Sequence, residues 1–247
     1  MSLQACADIV RKGDPDRFRA AMAVPVAARE ILFPIYAFNV EVARAPWVTE
    51  EPMIAEMRLQ WWRDALEEIA SGTTVRKHEV TTPLAAVLDE TACEVLDKAV
   101  QARRWDIYKD AFEDAGHFSE YLGDTGGGLM WVTARALGSS SENGVRAVGK
   151  TSALANFFAA IPKLESRGRV PLVDGRADAI RQLARDGLSE LRLAEIDKLA
   201  RVAALSGWRS RAILNQVIAD PSRVANGELD RVEIRKRVSL LWQSLKL

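Results

Sequence analysis

Closely spaced carboxylates are the residues of this 247-residue chain with the clearest chemical potential. Four of them recur in WDIYKDAFED at helical intervals: Asp106, Asp110, Glu113 and Asp114. This spacing places them on one side of a helix, where carboxylates three or four residues apart are able to share a magnesium ion. A solvated helix face neutralised by neighbouring Lys and Arg residues is the alternative interpretation, and the pattern favours it.

Few other residues suggest catalysis. The acidic cluster at 64–68 is typical of an exposed helix face. His78 and His117 lie in polar, loop-like contexts without an obvious partner, so neither predicts a general base. The glycine run at 126–128 lacks the flanking lysine and serine or threonine of a phosphate-binding loop. We expect it to allow close helix packing or to bend a helix around a cavity.

Composition narrows the class of protein. The chain has 34 basic and 34 acidic residues, so net charge makes no case for a nucleic-acid partner. Cys6 and Cys93 lack metal-ligand spacing and predict free thiols in a reducing compartment. The first residues contain no long apolar run, and no stretch approaches the ~20 apolar residues that cross a bilayer. These features predict a cytoplasmic protein, with peripheral contact at the inner membrane left open.

Helical periodicity dominates the chain, with glycine, proline and aspartate clusters between the periodic segments. The predicted helices lie near 3–11, 16–22, 26–45, 52–71, 80–100, 104–114, 118–137, 142–161, 176–185, 190–205, 207–219 and 231–245. Pro15, in the turn GDPD, is placed to begin the second of them. No segment alternates as a strand does, so we predict an all-α fold.

Apolar stripes predict which helix faces are buried. In the helix at 26–45, one stripe consists of Ile31, Ile35, Phe38 and Val42. A second stripe is predicted in 190–205, from Leu191 to Ala203. The helix at 142–161 is apolar nearly all round and should lie in the middle of a bundle. Since there is no repeat or linker, we predict a single domain over residues 1–247.

Four segments within residues 16–175 share their order and spacing with one known family. They are DRFRAAMAVPVAAREILFPIYAFNVEVARA, LQWWRDALEEIASG, FSEYLGDTGGGLMWVTARALG and AVGKTSALANFFAAIPKLESRGRVPL. The first contains Tyr36–Ala37–Phe38, and the last contains Asn156 and the Arg167–Gly168–Arg169 turn. Their combination resembles the squalene/phytoene synthase family, while the C-terminal third is similar only in helical character.

This resemblance implies an isoprenoid-synthase-like helical bundle around a central cavity. Enzymes of the family fuse two prenyl diphosphates, and two Asp-rich motifs on facing helices bind the magnesium that holds the diphosphate. The resemblance also implies substrate-binding positions in this chain, namely Phe18, Tyr36, Tyr121, Asp124 and Asn156.

The Asp-rich motifs are what this sequence lacks. The corresponding positions hold Ala43, Arg44 and Trp47 in the first motif, and Ala159, Ala160 and Leu164 in the second. Such side chains do not coordinate magnesium. The resemblance therefore implies no catalytic residue, no metal site and no cofactor. Glu41 and Glu165 lie one helical step away and are poor substitutes.

Two functions from different classes follow. AFNVEVARA and MRLQWWRDALEEI resemble most directly a divergent branch of the family whose members assist the assembly of respiratory complex I. This favours a non-catalytic protein that contacts respiratory-complex subunits or binds an isoprenoid or prenyl diphosphate. The alternative is a magnesium-dependent prenyl transferase that uses atypical acids such as Asp106, Asp110, Asp114 or Asp124. A lyase or hydrolase acting on prenyl compounds is a further option.

Overall fold

The computed structural model describes residues 3–229 and 233–245. Within these ranges the chain forms helices and no strand, which confirms the predicted all-α class. The α-helices are α1 (Leu3–Gly13), α2 (Pro15–Met22), α3 (Val26–Arg44), α4 (Pro52–Ala70), α5 (Thr81–Leu84), α6 (Glu90–Ala102), α7 (Ala115–Leu122), α8 (Leu129–Ala136), α9 (Glu142–Glu165), α10 (Ala177–Leu193), α11 (Lys198–Ala204), α12 (Ser210–Ala219), α13 (Ser222–Ala225) and α14 (Glu233–Ser244). Short 3-10 turns lie at Ala45–Trp47, Arg103–Asp106 and Leu205–Gly207, and a π-helical segment occupies Gly123–Gly128.

Aspartate side chains begin several helices. Asp14 accepts a hydrogen bond from the backbone N of Arg17 at 2.9 Å, and Pro15 is the first residue of α2, as predicted. Asp89 accepts from the backbone N of Ala92 at 2.8 Å and begins α6 in the same way. The predicted helix 80–100 is therefore wrong, because this cap separates α6 from the short α5.

The predicted helix 104–114 is also wrong. Only the 3-10 turn Arg103–Asp106 is helical, and Asp114 is the N-cap of α7. The carbonyl oxygens of Trp105 and Asp106, which a helix would use as acceptors, accept hydrogen bonds from the side chain of Arg169. Phe112 then stacks on Trp105, with ring centroids 4.1 Å apart. A tertiary contact thus replaces the local helix.

The predicted helix 190–205 spans two elements. Residues up to Leu193 complete α10, and α11 begins after Asp197, which accepts hydrogen bonds from the backbone N of Ala200 at 2.8 Å and from the hydroxyl of Ser139 at 2.6 Å. These hydrogen bonds hold the pKa of Asp197 well below its usual range. The predicted stripe is broken, because Leu193 and Leu199 are exposed. The predicted helix 231–245 begins in residues outside the described ranges, and α14 covers its remainder.

Helix α9 lies at the centre of the bundle, as predicted. It packs against the π-helical segment and helices α8, α10 and α12. The contact with the π-helical segment has no room for side chains, because a Cβ atom at Gly126 would lie 2.7 Å from the carbonyl oxygen of Gly149. The glycine run therefore allows close packing, as its composition predicts.

In the stripe predicted for α3, Ile35, Phe38 and Val42 are buried and Ile31 is partly buried. Cys6 and Cys93 are buried free thiols, as predicted. Burial raises the pKa of the Cys93 thiol to about 12. Among the described residues, none of the helices combines the length and apolar content needed to span a bilayer.

Candidate functional site

A cavity of about 450 Å³ lies inside the helical bundle. Six helices contribute to its wall, namely α2, α3, α7, α8, α9 and α12. The π-helical segment and the three 3-10 turns complete it. The apolar and aromatic part of the wall includes Tyr36, Ala43, Trp47, Tyr121, Leu122, Leu129, Met130, Ala153, Phe157, Ala160 and Leu164. Such a lining suits an apolar ligand with a few polar anchors.

Tyr36 lies on one side of the cavity. Its side chain is buried, and the side chains of Ser206 and Thr133 lie near its hydroxyl. The guanidinium of Arg17 lies 5.2 Å from the centre of its ring and pairs with Asp14 at 2.7 Å. Burial raises the pKa of Tyr36, so the phenol stays protonated. This geometry makes Tyr36 a fixed part of the wall.

Tyr121 lies elsewhere on the wall and belongs to a buried polar triad. Its hydroxyl donates to both carboxylate oxygens of Asp106 at 3.2 Å and accepts from Nη1 of Arg103 at 2.8 Å. Arg103 also pairs with Asp106 at 3.0 Å. Burial, followed by the effect of Asp106, raises the pKa of Tyr121. The triad leaves Asp106 neutralised by protein groups.

Arg169, near the end of the last family-like segment, connects that segment to the 3-10 turn at Arg103–Asp106. It is buried, donates to the backbone oxygens of Trp105 and Asp106, and has its guanidinium carbon 4.1 Å from the centre of the Trp105 ring. Its neighbour Arg167 is exposed and lies 4.5 Å from the centre of the Trp47 ring. Cation–π contacts of the two arginines thus connect this segment to Trp47 in one 3-10 turn and to Trp105 in another.

Four of the six positions that correspond to the family's Asp-rich motifs lie at the cavity. Ala43, Trp47, Ala160 and Leu164 all line it. The other two, Arg44 and Ala159, are exposed and lie outside the lining. Glu41 pairs with Arg44 at 2.7 Å, and Glu165 is exposed; neither lines the cavity. The wall is therefore apolar where the resemblance implies magnesium ligands.

The implied substrate-binding positions divide into two groups. Tyr36, Tyr121 and Asn156 line the cavity, and Asn156 is solvent-exposed there. Phe18 lies outside the lining and packs on Phe33, with ring centroids 5.8 Å apart. Asp124 also lies outside the lining, and burial and the nearby Glu120 raise its pKa. The structure therefore does not bring these five residues to one surface.

The atypical acids do not converge, so the predicted acidic face is wrong. Asp106 is buried in its triad, Asp110 and Glu113 are exposed in a loop, and Asp114 caps α7. In the described ranges, no three His, Cys, Asp or Glu side chains come together as metal ligands. His117 accepts a hydrogen bond from the backbone N of Glu113 at 3.4 Å, and His78 packs against Trp61 and Trp62.

Several residues of the cavity wall are missed by the sequence patterns. Asn39 and Lys163 are polar residues of α3 and α9, and helical periodicity does not distinguish them from surface residues. Ser206, Arg209 and Ser210 come from the C-terminal third, where the resemblance offers no motif. Arg167 does have a sequence signal, because the Arg167–Gly168–Arg169 turn belongs to the last of the four family-like segments.

Sequence comparison finds relatives that are described as assembly factors of respiratory complex I. The chain is 25% identical over 181 residues to "NADH dehydrogenase (ubiquinone) complex I, assembly factor 6" of Bos taurus, covering 67% of this chain and 51% of that protein. It is 27% identical over 177 residues to the homologous factor of Drosophila melanogaster, covering 68% and 53%. The chain thus spans about half the length of the curated relatives it matches.

Solved structures show the same fold. A dehydrosqualene synthase superposes with a TM-score of 0.80 at 14% identity, covering 99% of this chain and 95% of the other. Squalene synthase from Alicyclobacillus acidocaldarius superposes with a TM-score of 0.68 at 16% identity, covering 89% and 94%. The described residues therefore form an isoprenoid-synthase-like fold. The sequence model of the squalene/phytoene synthase family matches residues 10–174, more than half of the chain, so the chain belongs to the squalene/phytoene synthase family.

Proposed function

We propose that this chain is a non-catalytic member of its family that takes part in the assembly of respiratory complex I. The observation that carries the proposal is the apolar cavity wall at Ala43, Trp47, Ala160 and Leu164. These four side chains offer no magnesium ligand, and the family's chemistry needs magnesium to stabilise the diphosphate leaving group as it ionises. The relatives described as complex I assembly factors support the second half of the proposal.

The cavity itself supports a binding role within that function. Its volume of about 450 Å³ lies in the usual range for small-molecule sites, and aromatic and aliphatic side chains form much of its wall. Tyr36, Tyr121 and Asn156 would be its polar contacts to an isoprenoid ligand. A prenyl transferase remains the second candidate, because the fold matches a dehydrosqualene synthase over 99% of this chain.

We expect purified protein with farnesyl diphosphate and Mg²⁺ to release no diphosphate above the buffer rate. The physical reason is that Asp106 is already neutralised by Arg103, and the other atypical acids lie apart. Diphosphate release and extraction of hydrocarbon products measure this outcome. The enzyme of Alicyclobacillus acidocaldarius, assayed alongside, shows that the assay detects a squalene synthase.

The assembly role needs a separate measurement. Deleting the gene in its own host should lower the amount of intact complex I on native gels, while complex II content serves as the internal control. Re-expression of the chain should restore complex I. Normal complex I after deletion would contradict the assembly role, and prenyl condensation by the purified protein would contradict the non-catalytic role.

Contact with a membrane surface is also proposed, through α14. Ser239, Leu240 and Gln243 are half-buried, and Gln243 donates to the carbonyl oxygen of Trp208 at 2.9 Å. An exposed stripe consists of Val238, Leu241, Trp242 and Leu245, at i, i+3, i+4 and i+7. Residues 231–247 contain five basic residues and one acidic residue. An apolar stripe in a basic segment suits an anionic lipid surface.

We expect Leu241→Ser combined with Trp242→Ser to reduce sedimentation with vesicles of phosphatidylglycerol and phosphatidylcholine severalfold, because the stripe supplies the apolar contact. Val26→Ser combined with Leu193→Ser is the matched control, since both residues are exposed on other helices. Equal sedimentation of the two double variants would show that α14 does not contact the lipid.

A further inference from the structure

The cavity wall contains more basic than acidic side chains. The wall includes the carboxylates Asp14, Asp16 and Asp106 and the basic side chains Arg17, Arg103, Lys163, Arg167 and Arg209. Every carboxylate already has an arginine partner: Asp14 with Arg17 at 2.7 Å, Asp106 with Arg103 at 3.0 Å, and Asp16 with Arg209. In the part of the chain that the structure describes, Lys163 and Arg167 have no carboxylate partner.

These two cations lie beside the positions that correspond to the magnesium motifs. Lys163 belongs to the last turn of α9, three residues after Ala160, and Arg167 follows seven residues after Ala160. Ala160, Lys163 and Leu164 line the cavity from one face of α9, at i, i+3 and i+4, and Arg167 lines it just beyond the end of that helix. Arg167 also lies over Trp47, the position of the first motif's later acid. Side-chain cations are therefore present beside the positions where the resemblance implies metal ions.

The chemistry of the wall defines the ligand class. A dense anion binds at an apolar cavity only if positive charge compensates it, and side-chain cations can neutralise a bound head group without activating it as a leaving group. The planar guanidinium of Arg167 presents paired donors to phosphate oxygens, and the ammonium of Lys163 acts as a point charge. Both side chains are solvent-exposed and lie at the rim, whereas Tyr36 and Phe157 are buried in the wall. This arrangement suits an anionic head and an apolar tail.

We propose that Lys163 and Arg167 hold the anionic head of an isoprenoid phosphate at the rim of the cavity without a metal ion, while the apolar wall takes the tail. This inference rests on the proposed non-catalytic function and names its ligand class. The Trp47 ring orients Arg167, because the guanidinium lies 4.5 Å from its centre.

The test uses isothermal titration calorimetry of the full chain with farnesyl diphosphate. We expect binding in EDTA, and an affinity that changes less than about twofold when Mg²⁺ replaces EDTA. Lys163→Gln combined with Arg167→Gln should weaken binding roughly a hundredfold, at about tenfold for each charge-assisted contact. Farnesol and inorganic diphosphate should each bind at least tenfold more weakly than farnesyl diphosphate, because each lacks one half of the ligand.

Lys150→Gln combined with Arg185→Gln is the matched control, because it removes the same charge from outside the cavity lining. Equal affinities of the two double variants would overturn the assignment, as would binding only in Mg²⁺ or equally tight binding of inorganic diphosphate. Failure to bind in either buffer would also overturn it, but would leave the assembly role intact if complex I still depends on the gene. Turnover of the ligand would instead contradict the non-catalytic function.

Discussion

Replacement of Gly149 by alanine is expected to lower the free energy of unfolding by about 1–3 kcal/mol, the usual range for an overpacked core. A Cβ atom at this position would lie 2.5 Å from the carbonyl oxygen of Gly126 and 2.8 Å from the Cα atom of Gly127. Both are backbone atoms of the π-helical segment, so no side-chain rotation relieves the contact. The α9 helix would have to move away, and urea unfolding followed by circular dichroism measures the loss.

Gly123→Ala is the matched control for this variant. Gly123 belongs to the π-helical segment that Gly149 contacts. A Cβ atom at Gly123 would meet nothing within 4 Å, and its φ of −61° is ordinary for alanine. We expect unchanged or slightly higher stability, because alanine restricts the unfolded chain. If Gly123→Ala and Gly149→Ala unfolded at the same urea concentration, close approach of the two backbones would not be the reason for the glycines.

Arg169→Ala is expected to cost about 2–4 kcal/mol, because it leaves buried polar groups without their hydrogen bonds. Arg169 is 5% exposed and donates to the carbonyl oxygens of Trp105 and Asp106. It also lies against the Trp105 ring, which in turn stacks on Phe112. Loss of the guanidinium should loosen the loop before α7 as well as lower stability. Chemical denaturation measures the stability, and hydrogen exchange at residues 103–114 measures the loop.

Arg167→Ala serves as the control for Arg169→Ala, since it removes an exposed guanidinium of the same turn. Its expected effect on stability is below about 1 kcal/mol, the value of one exposed cation–π contact. Arg169→Lys should also destabilise, because an ammonium does not reproduce the two-oxygen contact of a guanidinium. A lysine variant as stable as the native chain would mean that charge alone explains the role of Arg169.

Local patterns were sufficient for the fold class and for several helices. The stripe from Ile31 to Val42 marks residues of α3 that pack into the core, although this helix is buried on other sides as well, and Pro15 marks the beginning of α2. The apolar run of α9 correctly predicts its central place, and four short segments together indicate the family. These signals are local, since each depends on residues within a few helical turns of one another.

The tertiary structure alone decided what surrounds the cavity. Arg169 donates hydrogen bonds to the carbonyl oxygens of Trp105 and Asp106, which lie more than 60 residues away in the sequence. These oxygens are then not acceptors within a local helix, so the helix that would have aligned the acids does not form. The pairing of Asp16 with Arg209 spans 193 residues and brings the C-terminal third to the wall. Helical periodicity identifies which side of an element is apolar, but which elements meet depends on long-range packing and on where buried polar groups find partners.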